Sequence, residues 1–96
     1  MITAVVLITA ATDQIPEAAQ AVSEITGVRE CYSVAGDADL VAMVRVRKHE
    51  QLADVIAGQI SKVPGVLSTN TMIAFRAYSR HDLESAFAIG YETAEQ

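Results

Sequence analysis

Apolar and polar positions follow two periods along this chain, and the switches between them outline its elements. Residues 2–9, ITAVVLIT, are β-branched and apolar and read as a first strand. The period then lengthens. Ile15, Ala18, Ala19, Val22 and Ile25 recur at helical spacing, while Glu17, Gln20 and Glu24 point the other way. Thr12 and Asp13 offer a cap, Pro16 suits the first turn, and Gly27 stands where a glycine would close the helix. A second strand carries Val28, Cys31, Tyr32 and Val34, the turn 35–39 follows, and Leu40 to Val46 form a third strand, close enough to pair with the second as an antiparallel hairpin. A second helix is expected from Lys48 to Lys62, with Leu52, Val55, Ile56, Ile60 and Val63 as its stripe. Pro64-Gly65 breaks it, and Val66 to Tyr78 hold a fourth strand. The segment 80–96 reads as a separate, partly helical tail with Leu83, Phe87 and Ile89 as a short apolar set.

The order β-α-β-β-α-β is the split βαβ, ferredoxin-like arrangement of the α+β class: a four-stranded antiparallel sheet with two helices on one face. The uncovered face of such a sheet should be polar. Here it is not. In the first strand Ile2, Ala4, Val6 and Ile8 lie on one side, but Val5 and Leu7 lie on the other. In the third, Leu40, Ala42, Val44 and Val46 alternate with Val41 and Met43. In the fourth, Ile73 and Phe75 alternate with Met72 and Ala74. An exposed patch of this kind exceeds the few hundred Å2 that a monomer tolerates. A second copy is the simplest cover, and sheet-on-sheet packing would bury about 1,600 Å2 or more. The expectation is a homodimer.

Composition narrows the classes. The 96 residues hold 12 acidic and 7 basic side chains, a net charge of -5, and are 51% hydrophobic. That is one domain with enough aliphatic residues for a core. The acidic balance argues against direct nucleic-acid binding, which needs clustered Lys and Arg, and no basic rim points to a membrane surface. The opening apolar run has no preceding basic residue, the first being Arg29, so it is not read as a secretory leader. A single cysteine, Cys31, suits a reducing cytoplasm.

No enzymatic or metal motif stands out, and the expectation is no catalytic residue, no cofactor and no metal. His49 and His81 read as solvated histidines, and Cys31 reads as small core filler. Asp37 and Asp39 flank a turn; they could hold a cation, but too few oxygens accompany them, and turn chemistry or contact with a ligand amine fits better. Gly36 leaves its backbone N–H groups open to a carboxylate, and Ser68, Thr69, Asn70 and Thr71 add hydroxyl and amide partners. A small zwitterion needs that mixture. The alternative is that these polar groups only cap the strand.

Two stretches carry a family resemblance. Tyr32-Ser33-Val34-Ala35-Gly36-Asp37-Ala38-Asp39-Leu40-Val41-Ala42-Met43-Val44 resembles the Y-x-V-x-G-x-x-D-hydrophobic stretch of the Lrp/AsnC C-terminal effector domain, the RAM domain. Val63-Pro64-Gly65-Val66, with Ser68-Thr69-Asn70-Thr71, is similar to that family's P-G-V-x-x-[ST]-x-T stretch. The resemblance spans about residues 1–78, so the effector and oligomerisation domain is placed at 1–79. It implies transcriptional regulation of metabolism, amino acid or related small effectors bound between subunits, dimers packed through their sheets into an α/β barrel or sandwich, and octamers as a further assembly. It nominates Tyr32, Val34, Gly36, Asp37, Asp39, Thr69 and Thr71 as effector contacts. Asp37 or Asp39 would face the ammonium, and Thr69 and Thr71 would close the polar end.

Family members also carry a helix-turn-helix that reads DNA, whereas this sequence opens in the first strand. The expectation is therefore a stand-alone module that does not bind DNA itself and has a full-length regulator as a partner. An ACT-like regulatory subunit of a metabolic enzyme and a small dimeric α/β-barrel enzyme are the competing readings.

Overall fold

The computed structural model describes residues 1–78. Strands β1 (Ile2–Ala10), β2 (Val28–Ser33), β3 (Leu40–Val46) and β4 (Val66–Ile73) form one sheet in the order β2-β3-β1-β4, with every pairing antiparallel. Helix α1 (Ile15–Ser23) joins β1 to β2, and helix α2 (His49–Ile56) joins β3 to β4. This is the expected ferredoxin-like α+β fold. The tail 80–96, with His81 and its expected helical turns, lies outside the described residues.

Period-two patterning decides which strand residues form the core. Ala4, Val6 and Ile8 of β1 pair with Val44, Ala42 and Leu40 of β3, and all six are fully buried on the helix side. Ala18 and Val22 of α1 and Leu52 and Val55 of α2 close the same cluster, with Ile60 from the turn beyond α2. Every residue in it is apolar, so burial there needs no polar compensation.

Local expectations need four corrections. Neither Thr12 nor Asp13 caps α1; residues Thr12–Gln14 form a 3-10 turn without a side-chain cap, and Pro16 sits in the first helical turn. Gly27 does not close α1, which ends at Ser23; it lies in the turn that enters β2. The second helix stops at Ile56 rather than Lys62. The chain turns tightly at Gly58, whose N–H donates to the Ala53 carbonyl at 3.1 Å, and a Cβ at that position would lie 2.5 Å from the Asp54 carbonyl oxygen. Apolar periodicity continues to Ile60 because a 3-10 turn at Ile60–Lys62 delivers that side chain to the core. The fourth strand ends at Ile73, not Tyr78, although the Ala74 N–H still donates to the Thr3 carbonyl at 2.9 Å.

The start of α2 is held from within. Gln51 Oε1 accepts the Arg47 and Lys48 backbone N–H groups at 3.0 and 2.9 Å, satisfying donors at the helix entrance.

Candidate functional site: the loop between β2 and β3

The β2–β3 loop stands at the end of the sheet where β1 finishes and β4 begins. Asp39 anchors it. Its backbone N–H donates to the Ile8 carbonyl at 2.9 Å, and its carbonyl accepts from the Val34 N–H at 3.0 Å. Its carboxylate accepts the Ala10 N–H at 2.8 Å. One half-buried side chain thus ties the base of the loop to the end of β1. Beyond that tie, Val34, Ala35, Gly36 and Asp37 are exposed. Gly36 has a φ of 134°, a conformation costly for other residues, and a Cβ there would meet nothing within 4 Å. The backbone at Gly36 is therefore constrained by conformation and open to an approaching group.

The register divides the nominated residues into two sets. Tyr32 pairs with Val41 on the sheet face away from the helices, beside the loop. Its Glu30 neighbour raises the Tyr32 hydroxyl above its ordinary 10.0, chiefly by hydrogen bonding, with burial and charge adding to it. Thr69 and Thr71 pair with Ile8 and Val6, which places them on the helix side of edge strand β4. Two strand spacings, roughly 10 Å, separate Thr69 from the base of the loop. Ser68 and Asn70, opposite Thr9 and Leu7, are the residues of the 68–71 stretch on the open face. Thr71 instead lines a groove of about 290 Å3 between β4 and α2, with Leu52, Ile56 and Ile73. Strand pairing supplies this distinction; the sequence shows it only once the register is known.

Other candidates are chemically quiet. Burial raises the Cys31 thiol above its ordinary 9.0, which disfavours the thiolate a nucleophile requires. Among the described residues, no three His, Cys, Asp or Glu side chains lie together as a metal-holding group, and no helix is long and apolar enough to cross a membrane.

The open sheet face continues from the loop. Val5, Leu7, Val41 and Met43 are half-buried at its centre, and Met72, opposite Val5, is 50% exposed. A loop offering backbone donors therefore stands at the margin of an uncovered apolar sheet. Against known protein families, the Lrp/AsnC ligand binding domain matches residues 3–83.

The chain belongs to the Lrp/AsnC ligand-binding-domain family. Among solved structures, TTHA0845 from Thermus thermophilus is 45% identical, with a TM-score of 0.79 over 83% of this chain and 100% of that one. The feast or famine regulatory protein Rv3291c from M. tuberculosis, complexed with L-methionine, is 32% identical, with a TM-score of 0.70 over 83% of this chain and 54% of that one. An uncharacterised HTH-type transcriptional regulator of Pyrococcus horikoshii, PH1916, is 34% identical over 62% of this chain and 39% of its own length. The chain thus spans about two fifths of the curated regulators it matches.

Proposed function

We propose that this Lrp/AsnC domain is an amino-acid-sensing and oligomerising module of transcriptional control, acting without catalysis and without contacting DNA itself. The observation that carries the reading is the β2–β3 loop, pinned through Asp39 with Gly36 open beside an uncovered apolar sheet face. The methionine complex of the 32% identical relative supports an amino acid as the effector class. A second copy covers the open sheet face, and the effector lies at the resulting subunit boundary. There it favours one assembly state over another, the condition for any ligand to shift an equilibrium.

Within the loop the two aspartates take different roles. Asp39 is a positioning residue, because its carboxylate already holds the Ala10 N–H. Asp37, exposed at the tip, is the better partner for an effector ammonium. Gly36 gives the effector carboxylate access to backbone N–H groups. Tyr32 borders the loop from β2, and Val34 is the first residue of the loop itself. Thr69 and Thr71 reach an effector only if it, or a neighbouring subunit, extends to the helix side of β4.

Calorimetry of the chain against each of the twenty amino acids tests the sensing role. Saturable binding that Asp37→Asn weakens supports it. Absence of binding for all twenty overturns the amino-acid assignment.

A further inference from the structure

Coverage of the helix side of the sheet is uneven. Helix α1 packs chiefly on β2 and β3, and α2 on β3 and β1. Among the described residues no helix packs chiefly on edge strand β4. Its helix-side residues Thr69, Thr71 and Ile73 pair with Ile8, Val6 and Ala4, all three of which are fully buried. Thr69 and Thr71 are nevertheless only half-buried, and Ile73 is 42% exposed. The uncovered strip forms one side of a groove of about 290 Å3 between α2 and the end of β4. Leu52, Ala53, Ile56 and Ala57 line it from α2 and the residue after it, and Thr71 and Ile73 line it from β4. His49 and Glu50 add polar groups at the start of α2.

Chain direction brings a cover to the mouth of this groove. Ile73 pairs with Ala4, and Ala4 pairs on its other side with Val44, near the end of β3. β3 leads directly into α2, so the chain leaves β4 at the same end of the sheet where α2 begins. The family match ends at residue 83, and the whole of TTHA0845 is matched by part of this chain, so a tail follows the shared fold here. In sequence, Leu83, Ala86, Phe87 and Tyr91 recur at helical spacing, with Glu84, Ala88 and Glu92 on another side and Ile89 off the stripe. Such a stripe needs an apolar surface to cover it. The ten residues from Ile73 to Leu83 span up to about 33 Å when extended, against about 12 Å for the eight residues of α2. The tail can therefore turn back along the whole groove.

We propose that the tail 79–96 packs back on its own chain as a third element on the helix side, with Leu83 and Phe87 seated in the groove between α2 and β4. Seating removes the exposed part of Ile73 and the half-buried Ile56 from water together with the two tail side chains. Glu84 and Glu92 stay in solvent. Linkage makes the contact intramolecular, which favours the tail over any free partner of the same chemistry. A second copy occupies the opposite face of the sheet, so this contact needs neither the dimer nor the effector loop.

A nitroxide on the full chain tests the docking by NMR. The label is carried by Ala88→Cys, on the polar side of the stripe, in a Cys31→Ala background that leaves it the one thiol. The expected result is that methyl signals of Ile56 and Ile73 broaden more than those of Val22 in α1 or of Val5 and Leu7 on the open face. The broadening should persist when the chain carrying both nitroxide and isotope is diluted into excess unlabelled chain. The double variant Leu83→Asp/Phe87→Asp should abolish it while leaving circular dichroism of the sheet unchanged. Amides at 53–57 should then exchange at least about tenfold faster, the effect of losing one large buried apolar contact. Three results overturn the proposal. Broadening strongest at Val5 and Leu7 places the tail on the open face. Loss of broadening on dilution assigns the groove to a second copy's tail. Equal broadening with and without the two aspartates, or none at Ile56 and Ile73, leaves the groove without its occupant.

Discussion

Strands β1 and β3 present two apolar faces with opposite fates. On the helix side Val6, Ile8, Leu40 and Ala42 are fully buried. One residue away along each strand, Val5, Leu7, Val41 and Met43 remain half-buried on the open side. Side-chain chemistry barely differs between the faces; topology does. Two short helices can cover only one side of a four-stranded sheet, so the second side must be covered by another molecule or stay wet. Each large aliphatic chain that passes from exposed to buried contributes about 1.5–3 kcal/mol. The open face is therefore a reserve of association energy.

The sharpest way to break this comparison is one substitution made at two neighbouring positions. Ile8→Asp places an unpaired carboxylate in the dry core and should abolish folding, at a cost above about 5 kcal/mol. Leu7→Asp should leave the helix and strand signals in circular dichroism intact while splitting the assembly. Its dimer dissociation constant should rise at least about a hundredfold, equivalent to about 3 kcal/mol. Equal unfolding in both variants would show that the faces are not distinct.

Smaller effects sharpen the picture. Gly58→Ala forces a Cβ against the Asp54 carbonyl and should lower stability by about 1–3 kcal/mol in urea unfolding. Asp39→Ala leaves the Ala10 N–H without its partner and should cost about 1–2 kcal/mol. It should also raise amide exchange across the loop, while Asp37→Ala, at an exposed tip, changes stability little. The smallest effect concerns Cys31. Its raised value favours the neutral thiol in the fold, so its contribution is complete below pH 9.0 and disappears as pH climbs through the folded value. Thiol labelling at neutral pH should be slower than for an exposed cysteine, and Cys31→Ala should remove that part of the alkaline loss of stability.

Much of this architecture was legible in the chain. Alternation in residues 2–9 and 40–46 sorted the side chains into two faces, and the Pro64-Gly65 break placed the entry to β4, because these signals are local; which of the two apolar faces the helices cover came from the structure. What escaped had a non-local cause. Helical periodicity through Ile60 concealed the end of α2, since a 3-10 turn supplies the same spacing. A β-bulge at Arg29 is visible only through pairing with β3. The nominated site shows the same division. The Asp39 motif lies in one loop, whereas the orientation of Thr69 and Thr71 depends on their register against β1, two strands from that loop.

Sedimentation velocity of the chain across micromolar concentrations tests the central claim most directly. A species of at least twice the mass of one chain, reverting to a single copy in Leu7→Asp, is the predicted result. A well-folded single copy throughout that range would contradict it, because the open face would then need no cover.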